Sequence, residues 1–445
     1  MAGGVALCAP AAALGQVGAE AYAIKPLRWE EDYSWLAGIE RPDGVPAFKY
    51  VALGEGAWAS FGVEARARVE TYDEPLFGLR GASDFVSAQG RLLVHGDVHL
   101  TPAVRTFVQL GVADERGREP DARAPDESAL DLSQAFVDFG RESGRRLRIG
   151  RQELPFGRFL SLRDGTNIRR TFDGARLTGG LGDLRLDGFV ARPTRNGPDA
   201  FDDDPDPADA AWGVSVSRGG LSAIYFGRRD ERSRYAAGVG TEERHTLALR
   251  TTGERGPWRW EAQAGVQSGE LETAAGALDI RAAGFASEVS RGFDGAWRPR
   301  AALRIDAAGG DENPADGTLG TFDLGYPNLA YLSDAAAIAP RNVLDVHPFL
   351  TVQPTPQLTL TGGAEVLWRL ERGDALYAPP AVALTPVYAG GGRYVGTQWY
   401  LRAGLRPDRH WDISLSAVRI DPGPAITRAG GKAQTFAAVQ TSLRY

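Results

Sequence analysis

Apolar and polar side chains alternate with period two through segment after segment of this chain, and beyond the first nineteen residues there is no uncharged apolar run of eighteen or more. A membrane-crossing helix needs such a run, so a helical membrane protein is excluded. In an extended strand the same period puts alternate side chains on opposite faces. Phe61, Val63, Ala65, Ala67 and Val69 alternate with Gly62, Glu64, Arg66, Arg68 and Glu70. Leu92, Val94, Val98 and Leu100 alternate with Arg91, His95, Asp97 and His99, with Leu93 the one apolar residue on the polar face. Trp258, Trp260, Ala262, Ala264 and Val266 do so with Arg259, Glu261, Gln263 and Gln267, and Trp399, Leu401, Ala403 and Leu405 with Gln398, Tyr400, Arg402 and Arg406.

Eighteen segments read as strands: 59–70, 88–100, 103–112, 130–140, 145–152, 174–180, 183–192, 211–218, 220–229, 244–253, 257–268, 278–290, 297–308, 343–353, 356–370, 393–406, 409–420 and 433–445. Links after odd-numbered segments are long, as in 71–87, 113–129, 153–173, 193–210, 309–342 and 371–392. Those after even-numbered segments are short, as at Thr101-Pro102, Leu181-Gly182, Gly219, Pro354-Thr355 and Pro407-Asp408. Many ten-residue alternating segments with links of two lengths are what a transmembrane barrel requires. The fold class expected is all-β: a transmembrane antiparallel up-and-down β-barrel of eighteen strands, with short periplasmic turns, long extracellular loops and both termini in the periplasm. A soluble β-sandwich or β-helix also alternates. Against it stand charges on the polar face of nearly every segment, and Trp258, Trp260, Trp399, Trp411 and Tyr445 near segment ends on the apolar face, where an aromatic girdle belongs. The terminal Tyr445 also resembles the aromatic strand end that barrel-assembly machinery recognises.

Residues 1–22 read as a signal peptide, with an uncharged apolar core at Val5–Leu14 and small residues near the cleavage region, although the usual basic n-region is missing. A bland Ala/Gly tail is the alternative. Cys8 lies in this segment; its removal leaves no cysteine for disulfide, metal or thiol chemistry, and Leu7 stands where a lipoprotein anchor wants a small residue. Residues 23–58 read as a periplasmic N-terminal segment and 59–445 as a single outer-membrane barrel.

If the apolar face meets lipid, the polar face lines a lumen, and eighteen strands leave an aqueous channel. Only Lys25, Lys49 and Lys432 are lysines among 50 basic residues, so the lumen charge is guanidinium, which pairs bidentately with carboxylates. Alternation turns Arg66, Arg68, Arg91, Arg105, Arg146, Arg148, Arg176, Arg185, Arg250, Arg259, Arg369, Arg402 and Arg406 inward, with Glu64, Glu70, Asp97, Asp187, Glu261 and Glu365. Rings of Arg favour anions. The competing reading is a lumen tied together by Arg–carboxylate ladders with no net preference. A net charge of −7 argues against a nucleic-acid partner.

The densest stretch runs from Gly150-Arg151-Gln152-Glu153-Leu154 to Arg163-Asp164-Gly165-Thr166-Asn167-Ile168-Arg169-Arg170-Thr171-Phe172-Asp173-Gly174, in a link long enough to fold into the pore. With Glu31-Asp32-Tyr33-Ser34-Trp35-Leu36, Leu319-Gly320-Thr321-Phe322 and Asp345-Val346-His347-Pro348, it resembles the bacterial alginate-export porin family across nearly the whole chain after residue 22. The resemblance implies an eighteen-stranded outer-membrane barrel with an Arg-rich constriction that passes the polyanion alginate. It also points to Arg151, Arg163, Arg169, Arg170 and Arg176 as carboxylate-binding positions, beside the lumenal Arg66, Arg68, Arg91, Arg105, Arg148, Arg259 and Arg402. Expected partners are an acidic polysaccharide or small carboxylate anions, outer-membrane lipid, the assembly machinery and candidate periplasmic polysaccharide-synthesis proteins.

Other motifs carry less. His95 and His99 flank Asp97, but on a strand they lie about 13 Å apart, too far for one ion. Phe201-Asp202-Asp203-Asp204-Pro205-Asp206-Pro207 imitates a calcium loop with Pro207 where Gly is needed, leaving at most a loosely held surface Ca²⁺. No nucleophile elbow or phosphate loop occurs, and only His245 lies near the long-loop rim. No cofactor, metal or enzymatic activity is expected. An anion-selective polysaccharide channel leads, a small-carboxylate porin comes second and a barrel hydrolase or acyltransferase third.

Overall fold

The computed structural model describes residues 22–140, 144–162, 164, 166–385 and 392–445. All eighteen expected segments are strands. The first nine are β1 Ala57–Asp73, β2 Phe85–Thr101, β3 Val104–Arg116, β4 Ser128–Gly140, β5 Arg146–Gln152, β6 Phe172–Leu181, β7 Leu184–Arg195, β8 Asp209–Arg218 and β9 Leu221–Tyr235. The rest are β10 Gly238–Arg255, β11 Trp258–Thr273, β12 Gly276–Gly292, β13 Arg300–Ala308, β14 Val343–Thr355, β15 Leu358–Trp368, β16 Tyr394–Leu405, β17 Trp411–Pro422 and β18 Gln434–Arg444. Each pairs antiparallel with its neighbours, and β1 pairs with β18 from Glu64 opposite Arg444 to Asp73 opposite Thr435, which closes the barrel and leaves no edge. Among the described residues no helix is long and apolar enough to cross a membrane.

Alternation decides which face is which. Leu92, Val94, Leu249, Val266, Leu401 and Val439 are exposed on the outer surface, whereas Glu64, Arg66, Arg91 and Asp97 are buried on the inner one. Transferring each outer Val or Leu from water to lipid is worth about 1.5–3 kcal/mol. Two-residue turns at 102–103, 182–183, 219–220 and 256–257 mark the periplasmic rim, where Trp258, Trp260 and Trp411 are exposed outward. At the opposite end of the lipid band Trp212 Nε1 donates to Tyr225 Oη at 3.1 Å and Tyr225 Oη meets His245 Nδ1 at 2.9 Å, a polar-tipped aromatic group on the outer face.

Two expectations change. The links after β9 and β11 are not long loops; each is two residues, at 236–237 and 274–275, because these strands run on past the lipid band. There the pattern inverts: Glu243, Glu270, Glu272, Asp279 and Arg281 face out, and Tyr235, Leu271, Ile280 and Leu319 form a buried cluster inside. Water outside and packed protein inside reverse the polarity that lipid imposes below. The lumen, moreover, is not simply an aqueous channel. The largest hydrophobic core of the chain lies within it, where Leu154, Phe156, Phe159 and Leu160 from loop 153–171 and Phe322, Leu324, Tyr326 and Leu332 from loop 309–342 pack on inward Phe172, Phe189, Ile224 and Phe226.

The segment before the barrel enters the periplasmic mouth. Trp29 is buried against the inward rings of Phe107 and Phe136. Arg28 donates to Tyr445 O at 2.5 Å and Val63 O at 3.4 Å. Lys49 is fully buried, with Nζ 3.6 Å from Glu31 Oε2.

Candidate functional site

Loop 153–171 is held in the lumen by its own acid and by wall arginines. Arg66 donates to Asp164 O at 2.9 Å, Thr166 O at 2.7 Å and Asn167 Oδ1 at 3.1 Å. Arg91 donates to Asp164 Oδ1 and Asn167 O, each at 3.1 Å, and pairs with Glu64. Arg169, on the loop, meets Asp164 at 2.8 Å and Glu153 at 3.5 Å. Arg66 Nη1 also lies 3.7 Å from Asp164 Oδ1, so three guanidinium groups surround one carboxylate and pin the loop to β1 and β2. Packing finishes the anchorage. Phe159 stacks on Phe226 with ring centroids 5.1 Å apart, and Phe156 lies against Gly213, where an added Cβ would come within 2.9 Å of its ring.

Most of the other described arginines on the inner face meet an acid. Arg105 pairs with Asp97 at 2.6 Å and donates to Trp29 O at 2.6 Å. Arg148 pairs with Asp138 at 2.7 Å, its guanidinium 4.0 Å from the Trp29 ring centre and 3.7 Å from that of Phe136. Arg68 pairs with Glu70, Arg151 with Asp173, Arg176 with Asp187, Arg259 with Glu254 and Arg402 with Asp334. Arg163 lies outside the described residues. Arg170 differs from the others. Its side chain lies over the Tyr326 ring at 5.4 Å, donates to Pro327 O at 3.3 Å and forms no ion pair among the described residues.

Loop 309–342 reaches in from the far rim. Tyr326 Oη donates to Asp209 Oδ1 at 2.5 Å, Arg304 Nη1 to Tyr331 O at 3.3 Å, and Phe322 packs on Gly284, where an added Cβ would come within 2.7 Å of the ring. On the periplasmic side the inner wall of β6–β13 carries Arg176, Arg185, Arg250, Arg259 and Arg300, with Asp187, Glu254, Glu261 and Glu288 among them. Arg185 and Arg300 meet no carboxylate within ion-pair distance among the described residues; Arg300 donates to Ser290 Oγ at 3.2 Å. Arg300 and the paired Arg304 escape sequence reading because β13 runs Arg-Ala-Ala-Leu-Arg-Ile-Asp, with Ala302 on the polar face between them.

Asp131 on β4 accepts the backbone N–H groups of Asp202 and Asp203, and Asp203 accepts that of Gly197, so these acids bind backbone; one carboxylate oxygen of each of Asp131, Asp202 and Asp203 lies within 4.8 Å of the others. His99 stacks on Trp58 and His95 on Phe107. His245 belongs to the outer aromatic group. On β14 and β15, Asp345, His347 and Glu365 are buried together, with one donor atom of each within 4.8 Å of the others.

A family model described as alginate export matches residues 57–440. No curated protein sequence matches the chain. Among solved structures, OccAB1 of Acinetobacter baumannii is similar with a TM-score of 0.57 at 13% identity, over 87% of this chain and 96% of that one. The BenF-like porin from Pseudomonas fluorescens Pf-5 has a TM-score of 0.56 at 10% identity over 87% and 99%. OccK2 (OpdF) of Pseudomonas aeruginosa, in complex with glucuronate, has a TM-score of 0.54 at 12% identity over 87% and 97%. At these identities the likeness is one of fold.

Proposed function

Because the chain belongs to the alginate-export family, we propose that it passes an acidic polysaccharide such as alginate from the periplasm outward, passively and with anion selectivity. Family and fold are those of outer-membrane channels rather than enzymes. The observation that carries the finer reading is the set of lumenal guanidinium groups that have no carboxylate partner among the described residues: Arg185 and Arg300 on the periplasmic wall, then Arg170 beside Tyr326 deeper in. A uronate carboxylate arriving there meets unneutralised positive charge and a bidentate donor, which offsets the cost of stripping its water. The paired arginines have another task. Arg66, Arg91, Arg105, Arg148 and Arg169 hold the loop and the N-terminal segment in place, so they shape the passage more than they charge it.

Single-channel recording in planar bilayers tests this. The channel should prefer anions, polymannuronate should block the current, and the triple variant Arg170→Ala, Arg185→Ala, Arg300→Ala should shift the reversal potential toward zero selectivity. Cation preference in the parent protein would remove the reading. A second reading, a porin for small carboxylates, is favoured by the crowding of the lumen by two loops and by the likeness to a barrel solved with glucuronate. Block by glucuronate without block by polymannuronate would select it.

A further inference from the structure

We propose that Asp345, His347 and Glu365, on the lumen face of β14 and β15, form a divalent-metal site whose ligand chemistry fits Zn²⁺. Opposite registers bring them together: His347 lies across from Arg304, and the β14–β15 pairing sets Glu365 level with His347. Asp345 and Glu365 are fully buried and His347 is nearly so. Among the described residues, both carboxylate oxygens of Asp345, Oε1 of Glu365 and Nδ1 of His347 have no hydrogen-bond partner outside the trio. Buried polar atoms are ordinarily satisfied, so donor atoms of three buried side chains within 4.8 Å of one another point to a missing ligand. The imidazole is held for that task. Its Nε2 bonds Tyr400 Oη at 2.7 Å, which turns Nδ1 toward the carboxylates, as an outer hydrogen bond orients a metal-ligating histidine.

Distances and charge agree. His347 Nδ1 is 3.5 Å from Glu365 Oε1. Two ligands at about 2.1 Å in a tetrahedral shell lie about 3.4 Å apart. Asp306, Asp345 and Glu365 share this pocket with one guanidinium, Arg304, since Arg402 is taken by Asp334. Three carboxyl groups face one guanidinium there, so a divalent ion that displaces their protons leaves the pocket neutral. A mixed nitrogen and oxygen donor set suits Zn²⁺ better than Ca²⁺ or Mg²⁺, which take oxygen alone. Bound there, the ion joins β14 to β15 directly beneath the place where Arg304 and Arg402 hold loop 309–342.

The test uses the full-length barrel, purified in detergent, stripped with a chelator and reloaded with Zn²⁺ or Co²⁺. Elemental analysis after desalting should find about one ion per chain, and Asp345→Asn with Glu365→Gln should reduce it to near zero while heat-modifiable gel migration shows a folded barrel. Should that variant fail to fold, visible absorption of the Co²⁺-loaded parent decides: ligand-field bands of a nitrogen and oxygen site support the proposal. A parent that retains no ion and shows no such bands would overturn it and leave a carboxyl–carboxylate pair sharing a proton.

Discussion

Lys49 stands in a short 3₁₀ turn outside the barrel wall, fully buried over the Tyr33 ring. Burial pushes its pKa down to about 8, with Glu31 opposing and Arg28 adding to the fall. The unfolded lysine, near 10.5, therefore binds the extra proton between these values, and docking of the N-terminal segment strengthens as pH rises through that window and weakens as pH falls toward about 8. Protection of residues 22–50 from proteolysis should rise by about two orders of magnitude over the window, and Lys49→Met should flatten the dependence. An unchanged profile in that variant would assign the effect elsewhere. At this scale the sequence is only half legible. Alternation correctly turns Arg66, Arg91, Arg105 and Arg148 inward, yet their partners Asp164 and Trp29 lie on links that have no period, so whether a lumenal arginine is charged toward solvent or spent on an ion pair cannot be read.

The strands themselves are legible because lipid outside and polar groups inside impose a period of two on each of them. Reading fails where the solvent changes. Above the lipid band β9–β12 keep their pairing but exchange their polarity, so Leu271 and Ile280 look outward-facing by pattern and are buried inside. Nor could the loops' apolar residues be assigned to the lumen, since the sockets that receive them are glycines. Gly284 and Gly213 are inward positions that leave room for Phe322 and Phe156. Gly284→Val should expel Phe322, cost about 1–3 kcal/mol through overpacking, and raise single-channel conductance by freeing loop 309–342. A barrel that folds with unaltered conductance would show that this loop does not limit the passage.

For the whole molecule, the outer surface divides into a lipid band and an extracellular collar, and the boundary should be visible in stability. Leu249→Arg places a charge within the band and should cost about 2–4 kcal/mol by urea unfolding in bilayers, whereas Glu270→Arg on the collar should change little. Equal costs would misplace the boundary. The closure of the barrel carries one more consequence, for the order of its assembly. Arg28 takes its two backbone acceptors from opposite sides of the seam, Val63 O on β1 and Tyr445 O at the chain end. Until first and last strands meet, that binding place does not exist, so seating of the N-terminal segment acts as a latch that only a finished cylinder can receive.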